Sequence, residues 1–165
     1  MASAVPTPRP QPQPPLRAAP QRRRRVAFVC WGNSCRSQMA EGWARHLSQN
    51  SVEAVSAGIS ALGFIVPETI QVMEEKKVSL AGQKSKGLKA IDWAQVDVLV
   101  NMSAVPNEEL VPEFQGRRLE WHIEDPYGEP LDTFRQVRDE LEARVRVLLA
   151  ERGAPPGGSV APPVA

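Results

Sequence analysis

Cys30 is followed six residues later by Arg36, with Ser37 directly after it. A thiol, a guanidinium and a hydroxyl at this spacing suit nucleophilic attack on an oxyanion. A free cysteine has a pKa of about 8.5, so little of it is thiolate at neutral pH. A helix N-terminus and a neighbouring arginine both favour the anion. Gly32 and Asn33 lie between the two and tolerate unusual backbone angles, so successive N–H groups can turn inward as an anion nest. Arg36 adds a planar fork that fits two oxygens of a tetrahedral anion, and Ser37 can donate a hydrogen bond to the sulfur. Trp31, Gly32, Asn33, Ser34, Cys35 and Ser37 are thus the expected substrate cradle around Cys30 and Arg36. A phosphate-like group held over a thiolate is set up for attack on phosphorus. A Walker A loop is excluded, because it carries no nucleophile and needs Gly-Lys-Ser/Thr.

Such a loop must be carried by a strand that ends at the cysteine and a helix that begins near the arginine. "VAFVC" (26–30) is a continuous apolar run of the kind found in strands buried on both faces. From Ser37 to Gln49, Met39, Ala40, Trp43, Ala44 and Leu47 recur at helical spacing. "VEAVSAG" (52–58) reads as a second strand, "VDVLVNM" (96–102) as a third and "RRLEWHI" (117–123) as a final, more exposed one. Pro67 is placed to open a helix through Val78, with Ile70, Met73 and Lys77 in phase. Leu131 to Glu151 is the clearest helix, with Leu131, Phe134, Val137, Leu141, Val145, Leu148 and Leu149 on one face and Gly153 placed to end it. Strands alternating with helices predict an α/β fold in three layers, a parallel sheet flanked by helices. Ligands of such sheets bind beyond the carboxyl ends of the strands, which is where Cys30 falls.

Composition divides the chain into three parts. Residues 1–24, rich in Pro, Gln, Ala and Arg, and residues 153–165, "GAPPGGSVAPPVA", bury too little apolar surface to order and read as tails around a domain at 25–152. Residues 1–25 hold six arginines and no acid, which leaves fourteen bases against nineteen acids, a net −5, for the remainder. That balance argues against a nucleic-acid partner for the domain. The Pro/Arg-rich tail could dock a partner in polyproline form, but its sequence names none. No stretch is long enough to span a membrane, and the N-terminus has no apolar signal region. Two cysteines make no disulfide framework, and a cytoplasmic chain with reduced thiols is expected. His46 and His122 fit no zinc spacing with them, so no metal is expected and both histidines read as solvated or structural.

The run Cys30-Trp31-Gly32-Asn33-Ser34-Cys35-Arg36-Ser37 resembles the signature loop of the low-molecular-weight protein tyrosine phosphatases, a family that also contains related arsenate reductases. The resemblance extends through "SAG" (56–58), the strand at 96–102 and "DPYG" (125–128), so it covers nearly all of the domain. It implies a four-stranded parallel sheet and a cofactor-free phosphomonoesterase that works through a cysteinyl-phosphate. It also implies that Asp125, in its Asp-Pro pair, is the general acid and then the base toward water, and that Asn33 and Ser56 hold the loop's shape. Tyr127 would line a slot for phosphotyrosine, and Trp31 either faces it or merely packs. Gly128 stands where the phosphatases often have a second aromatic residue.

"NSCRSQMAEGWA" (33–44) is closer to the arsenate reductase branch, which makes reduction of a small oxyanion the alternative activity. The thioredoxin-coupled reductases use two further cysteines after the third strand; here Ser103 stands at the first place and no cysteine follows. The alternative is therefore a single-cysteine reductase that takes an external small thiol. A silent phospho-ligand binding module is a third reading, opposed by the presence of Cys30, Arg36 and Asp125 together.

Overall fold

The structure, a computed structural model, describes Pro12 and residues 22–151. Most of the two expected tails, Gly153 included, lies outside the described residues. Four strands form one wholly parallel sheet in the order β2-β1-β3-β4: β1 (Arg25–Cys30), β2 (Glu53–Gly58), β3 (Val98–Asn101) and β4 (Arg117–Glu120). Helices α1 (Arg36–Ser48), α2 (Pro67–Glu75) and α3 (Leu131–Ala150) complete the main elements.

β1 occupies the centre of the sheet because both of its faces are apolar. Val26 and Phe28 point into one core with Met39 and Trp43 of α1, Val72 and Met73 of α2, and Phe134, Leu141 and Val145 of α3. Ala27 and Val29 point into a second core with Leu99, Leu110 and Phe114. Short 3₁₀ turns at Leu88–Ala90 and Trp93–Gln95, with the β3–β4 connection, cover this second face. The α3 stripe is buried as its spacing predicts, at Phe134, Val137, Leu141, Val145 and Leu148.

The differences from expectation lie at element ends. α2 stops at Glu75 rather than Val78, because Lys77 turns left-handed with φ 61° and the Val78 N–H bonds back to the Met73 carbonyl. Its inner face is Thr69, Val72 and Met73; Ile70 is 37% exposed and Lys77 lies beyond the helix. β3 starts at Val98, since Val96 and Asp97 belong to the approach from the preceding 3₁₀ turn. β4 ends at Glu120, although Trp121 and Ile123 remain buried beyond it.

The domain is also closed at the amino ends of the strands. Asp97 accepts hydrogen bonds from the Arg25 N–H at 2.8 Å and from both Arg22 terminal nitrogens at 2.9 and 2.8 Å. Arg23 donates to the Asn50 carbonyl and Arg24 to that of Glu151, so residues assigned to the tail by composition have partners on the domain.

Candidate active site

β1 delivers Cys30 to the carboxyl edge of the sheet, and α1 begins at Arg36 after a five-residue loop. In that loop Asn33 alone takes a left-handed conformation, φ 47°. Gly32 does not; its lack of a side chain instead gives room to Leu62, whose Cγ would lie 3.2 Å from an added Cβ. The loop is stitched to the chain after β2: Ser60 N–H donates to the Trp31 carbonyl at 2.8 Å, Leu62 N–H to that of Gly32 at 3.0 Å, and Ser34 Oγ to that of Phe64 at 2.7 Å.

The Cys30 sulfur and Ser37 Oγ are 2.9 Å apart. Asn33 Nδ2 donates to Ser37 Oγ at 2.7 Å and to Ser56 Oγ at 2.9 Å, so Asn33 links the start of α1 to β2. Arg36 is 8% exposed and donates through Nη1 to the carbonyls of Met102 and Ile123 at 2.8 and 3.2 Å. Its Nη2 lies 3.4 Å from Asp125 Oδ2, and its buried Nε has no partner among the described residues. Asp125 follows β4 and is oriented by the Tyr127 N–H, which donates to Oδ1 at 3.1 Å.

One cleft is lined by Cys30, Trp31, Gly32, Ser34, Cys35, Arg36, Leu62, Asp125 and Tyr127. It brings together every residue expected at the site except Asn33 and Ser37, which stand fully buried behind the loop. Trp31 and Tyr127 are more than half exposed at the mouth. Cys35 is buried, and burial pushes its thiol up to about 12, so it stays protonated at neutral pH. Both cysteines are free thiols. His46 and His122 are exposed, and no group of three metal-ligating side chains occurs among the described residues.

Three participants were not legible as such. Leu62 joins the cleft from a loop whose composition marks nothing. Gln38 is fully buried and donates to the Asn33 carbonyl and side-chain oxygen at 3.1 and 3.0 Å. Glu41 is 1% exposed, accepts from Ser56 Oγ and is paired with Arg45. Burial raises its pKa, against the hydrogen bond from Ser56 and the charges of Arg45 and Lys86.

A cysteine at the end of a central parallel strand, an anion loop behind it and an arginine at the next helix start define the superfamily of cysteine-dependent phosphatases and arsenate reductases. Comparison with known proteins narrows this: a sequence model of the family described as low molecular weight phosphotyrosine protein phosphatase matches residues 25–154, and the chain belongs to that family. The glutaredoxin arsenate reductase of Synechocystis sp. is 35% identical over 130 residues, 78% of this chain and 98% of that protein. Among solved structures, an arsenate reductase in the phosphate binding state matches with a TM-score of 0.70 at 35% identity, covering 77% of this chain and 97% of its own. A low molecular weight protein tyrosine phosphatase from T. tengcongensis matches with a TM-score of 0.68 at 29% identity, covering 76% and 97%.

Proposed function

We propose that the chain is a phosphomonoesterase, acting on phosphotyrosine through a cysteinyl-phosphate. The observation that carries this reading over the external-thiol alternative is Asp125, 3.4 Å from Arg36 and lining the cleft beside Tyr127, where a leaving-group acid is needed. Cys30 and Cys35, the only two cysteines in 165 residues, both lie in the anion loop and exclude the thioredoxin-type relay. Ser103, after β3, is 8% exposed and donates through its hydroxyl to Asn101 Oδ1 at 2.6 Å, with no redox chemistry to offer. An internal disulfide relay that leaves the loop has no second thiol.

In this reading the Cys30 thiolate attacks phosphorus as the bond to the ester oxygen breaks. Asp125 gives its proton to that oxygen, worth roughly 10²–10⁴ in rate. Arg36 and the loop N–H groups hold charge on the phosphoryl oxygens. Water then attacks the phosphorus and gives a proton to the Asp125 carboxylate, while the P–S bond breaks and returns the thiolate. Trp31 and Tyr127, at the mouth of the cleft, would sandwich an aryl ring. No step uses a metal or cofactor, and the location that suits free thiols is the cytoplasm.

A second reading, arsenate reduction with an external small thiol, is favoured by the 35% identity to the Synechocystis reductase. Parallel assays separate the two. We expect hydrolysis of an aryl phosphate unaffected by a chelator, with at most slow arsenate turnover in glutathione. Efficient thiol-dependent arsenate reduction beside negligible aryl phosphatase activity would reverse the order.

A further inference from the structure

Behind the loop, a single hydrogen-bonded line runs from the nucleophile to a buried carboxylate on α1. Cys30 Sγ meets Ser37 Oγ at 2.9 Å; Asn33 Nδ2 holds Ser37 Oγ at 2.7 Å and Ser56 Oγ at 2.9 Å; Ser56 Oγ donates to Glu41 Oε2 at 2.5 Å. The direction of each bond follows from its neighbours. The Lys86 backbone N–H can only donate, and it points at Asn33 Oδ1 from 2.9 Å. That fixes the amide, so both hydrogens of Nδ2 go to the two serines. Neither serine can then donate back to Asn33. The Ser37 hydrogen is left for the sulfur, and the Ser56 hydrogen needs another acceptor.

We propose that Glu41 is a positioning residue for the nucleophile loop: it is the acceptor that holds the Ser56 hydroxyl, and through it the left-handed turn at Asn33 on which the anion nest depends. Glu41 touches neither substrate nor sulfur. A carboxylate serves here because both of its oxygens face donors, Ser56 at Oε2 and Arg45 Nη2 at Oε1, 2.5 Å away. An amide cannot satisfy both. Arg45 has only hydrogens to offer, so Glu41→Gln either keeps its oxygen on Ser56 and aims its NH₂ at the guanidinium 2.5 Å from Oε1, or turns its oxygen to Arg45 and its NH₂ to Ser56. The first leaves two donors opposed, and the second leaves the Ser56 hydrogen without an acceptor at a fully buried position; each costs enough to favour a moved side chain.

The inference rests on the oxyanion site proposed above, so the test reads binding without turnover. The probe is inorganic phosphate, and the readout is the concentration that protects Cys30 from iodoacetamide, with the alkylated peptide identified by mass. Glu41→Gln should require about tenfold more phosphate than the parent, equivalent to roughly one broken hydrogen bond in a buried network. Because Glu41 acts through Ser56, Glu41→Gln should add nothing in a Ser56→Ala background. Removing the competing donor in Glu41→Gln/Arg45→Met frees the amide oxygen for Ser56 and should restore the parental value. Parent-like protection of Glu41→Gln overturns the proposal. So do losses that multiply in the double variant with Ser56→Ala, or a failure of Arg45→Met to rescue, since either would mean general loosening of α1. Should Glu41→Gln not fold, Ser56→Ala alone must show the tenfold rise, and a parental value there overturns the proposal equally. Lack of protection in the parent would instead refute the oxyanion site itself.

Discussion

Arg36 Nη2 lies 3.4 Å from Asp125 Oδ2, so the first residue of α1 reaches the loop that follows β4. The carboxyl, 53% exposed, is thereby held at the mouth of the cleft that Cys30 closes at its base. Asp125→Asn keeps the shape and removes the proton. It should lower kcat by about 10²–10⁴ on phosphate esters with poor leaving groups. The loss should be much smaller for nitrophenyl phosphate, whose leaving oxygen needs little help. Equal losses on both substrates would remove Asp125 from the role of acid.

The two cysteines should behave differently although they share one loop. Cys35, pushed up to about 12 by burial, is a thiol at neutral pH, so alkylation there should fall on Cys30 alone. Cys30→Ser should abolish turnover while leaving phosphate bound, because a serine hydroxyl in the same nest is far less acidic. Calorimetry with phosphate and a rate assay check both halves. A variant turning over within tenfold of the parent would reject the nucleophile.

Gly58 ends β2 directly behind the loop. A Cβ added there would lie 2.7 Å from Asn33 N, 2.8 Å from the Trp31 carbonyl oxygen and 2.9 Å from Gly32 C, all backbone atoms. Gly58→Ala must therefore move the loop itself, at about 1–3 kcal/mol of stability and with at least tenfold lost in kcat/KM. Gly42→Ala is the control. Its Cβ would meet the side chains of Leu80 at 2.5 Å, Met73 at 3.3 Å and Val78 at 3.5 Å, none of them in the loop, so it should lower Tm and spare kcat/KM. Equal effects of the two on kcat/KM would show that the approach at Gly58 is not special.

Asp97 ties the amino ends of the sheet. Burial raises its pKa, but the hydrogen bonds from Arg22 and the Arg25 N–H, with the nearby arginine charges, outweigh it and hold the carboxyl below its usual range. A depressed pKa stabilises above the unfolded value, near 3.9, and that contribution disappears as pH falls through the folded value. Asp97→Asn should therefore cost stability at pH 7, about 1 kcal/mol given a partly exposed pair. Denaturant melts should show parent and variant converging below about pH 4. A gap that persists at low pH would mean that packing, not charge, makes the difference.

Much of this was open to the sequence. Val26 to Cys30 is apolar on both faces, and α3 repeats an apolar stripe, so burial follows from composition alone. The loop was legible because Asn33 and Arg36 have few other reasons to stand in that order. The end of α2 was not, because nothing in the residue type marks Lys77 for a left-handed turn. Nor were Gln38 and Glu41. On a helix their types read as solvent-facing, and only the partners brought to them, the Lys84 carbonyl and Ser56 of β2, offset the cost of burial. Arg138 was missed for the same reason: it is 5% exposed and donates to the Val72 carbonyl across the α2–α3 contact.

The anchoring of Arg36 bears on when the site can exist during folding. Its carbonyl partners, Met102 and Ile123, lie 66 and 87 residues further along the chain. β1 likewise has no neighbour adjacent in sequence except across a whole crossover, and its second partner, β3, is separated by all of α1, β2 and α2. Such distant pairings carry a large loop-closure cost and form late. The candidate site, though its loop is encoded near the start of the domain, is thus completed only when nearly the whole domain has been synthesised and docked. A ribosome-bound chain ending before Ile123 holds the Cys30 thiol without the full anchoring of the arginine that would activate it, so under the proposed function turnover should begin only after β4 and the residues beyond it have docked.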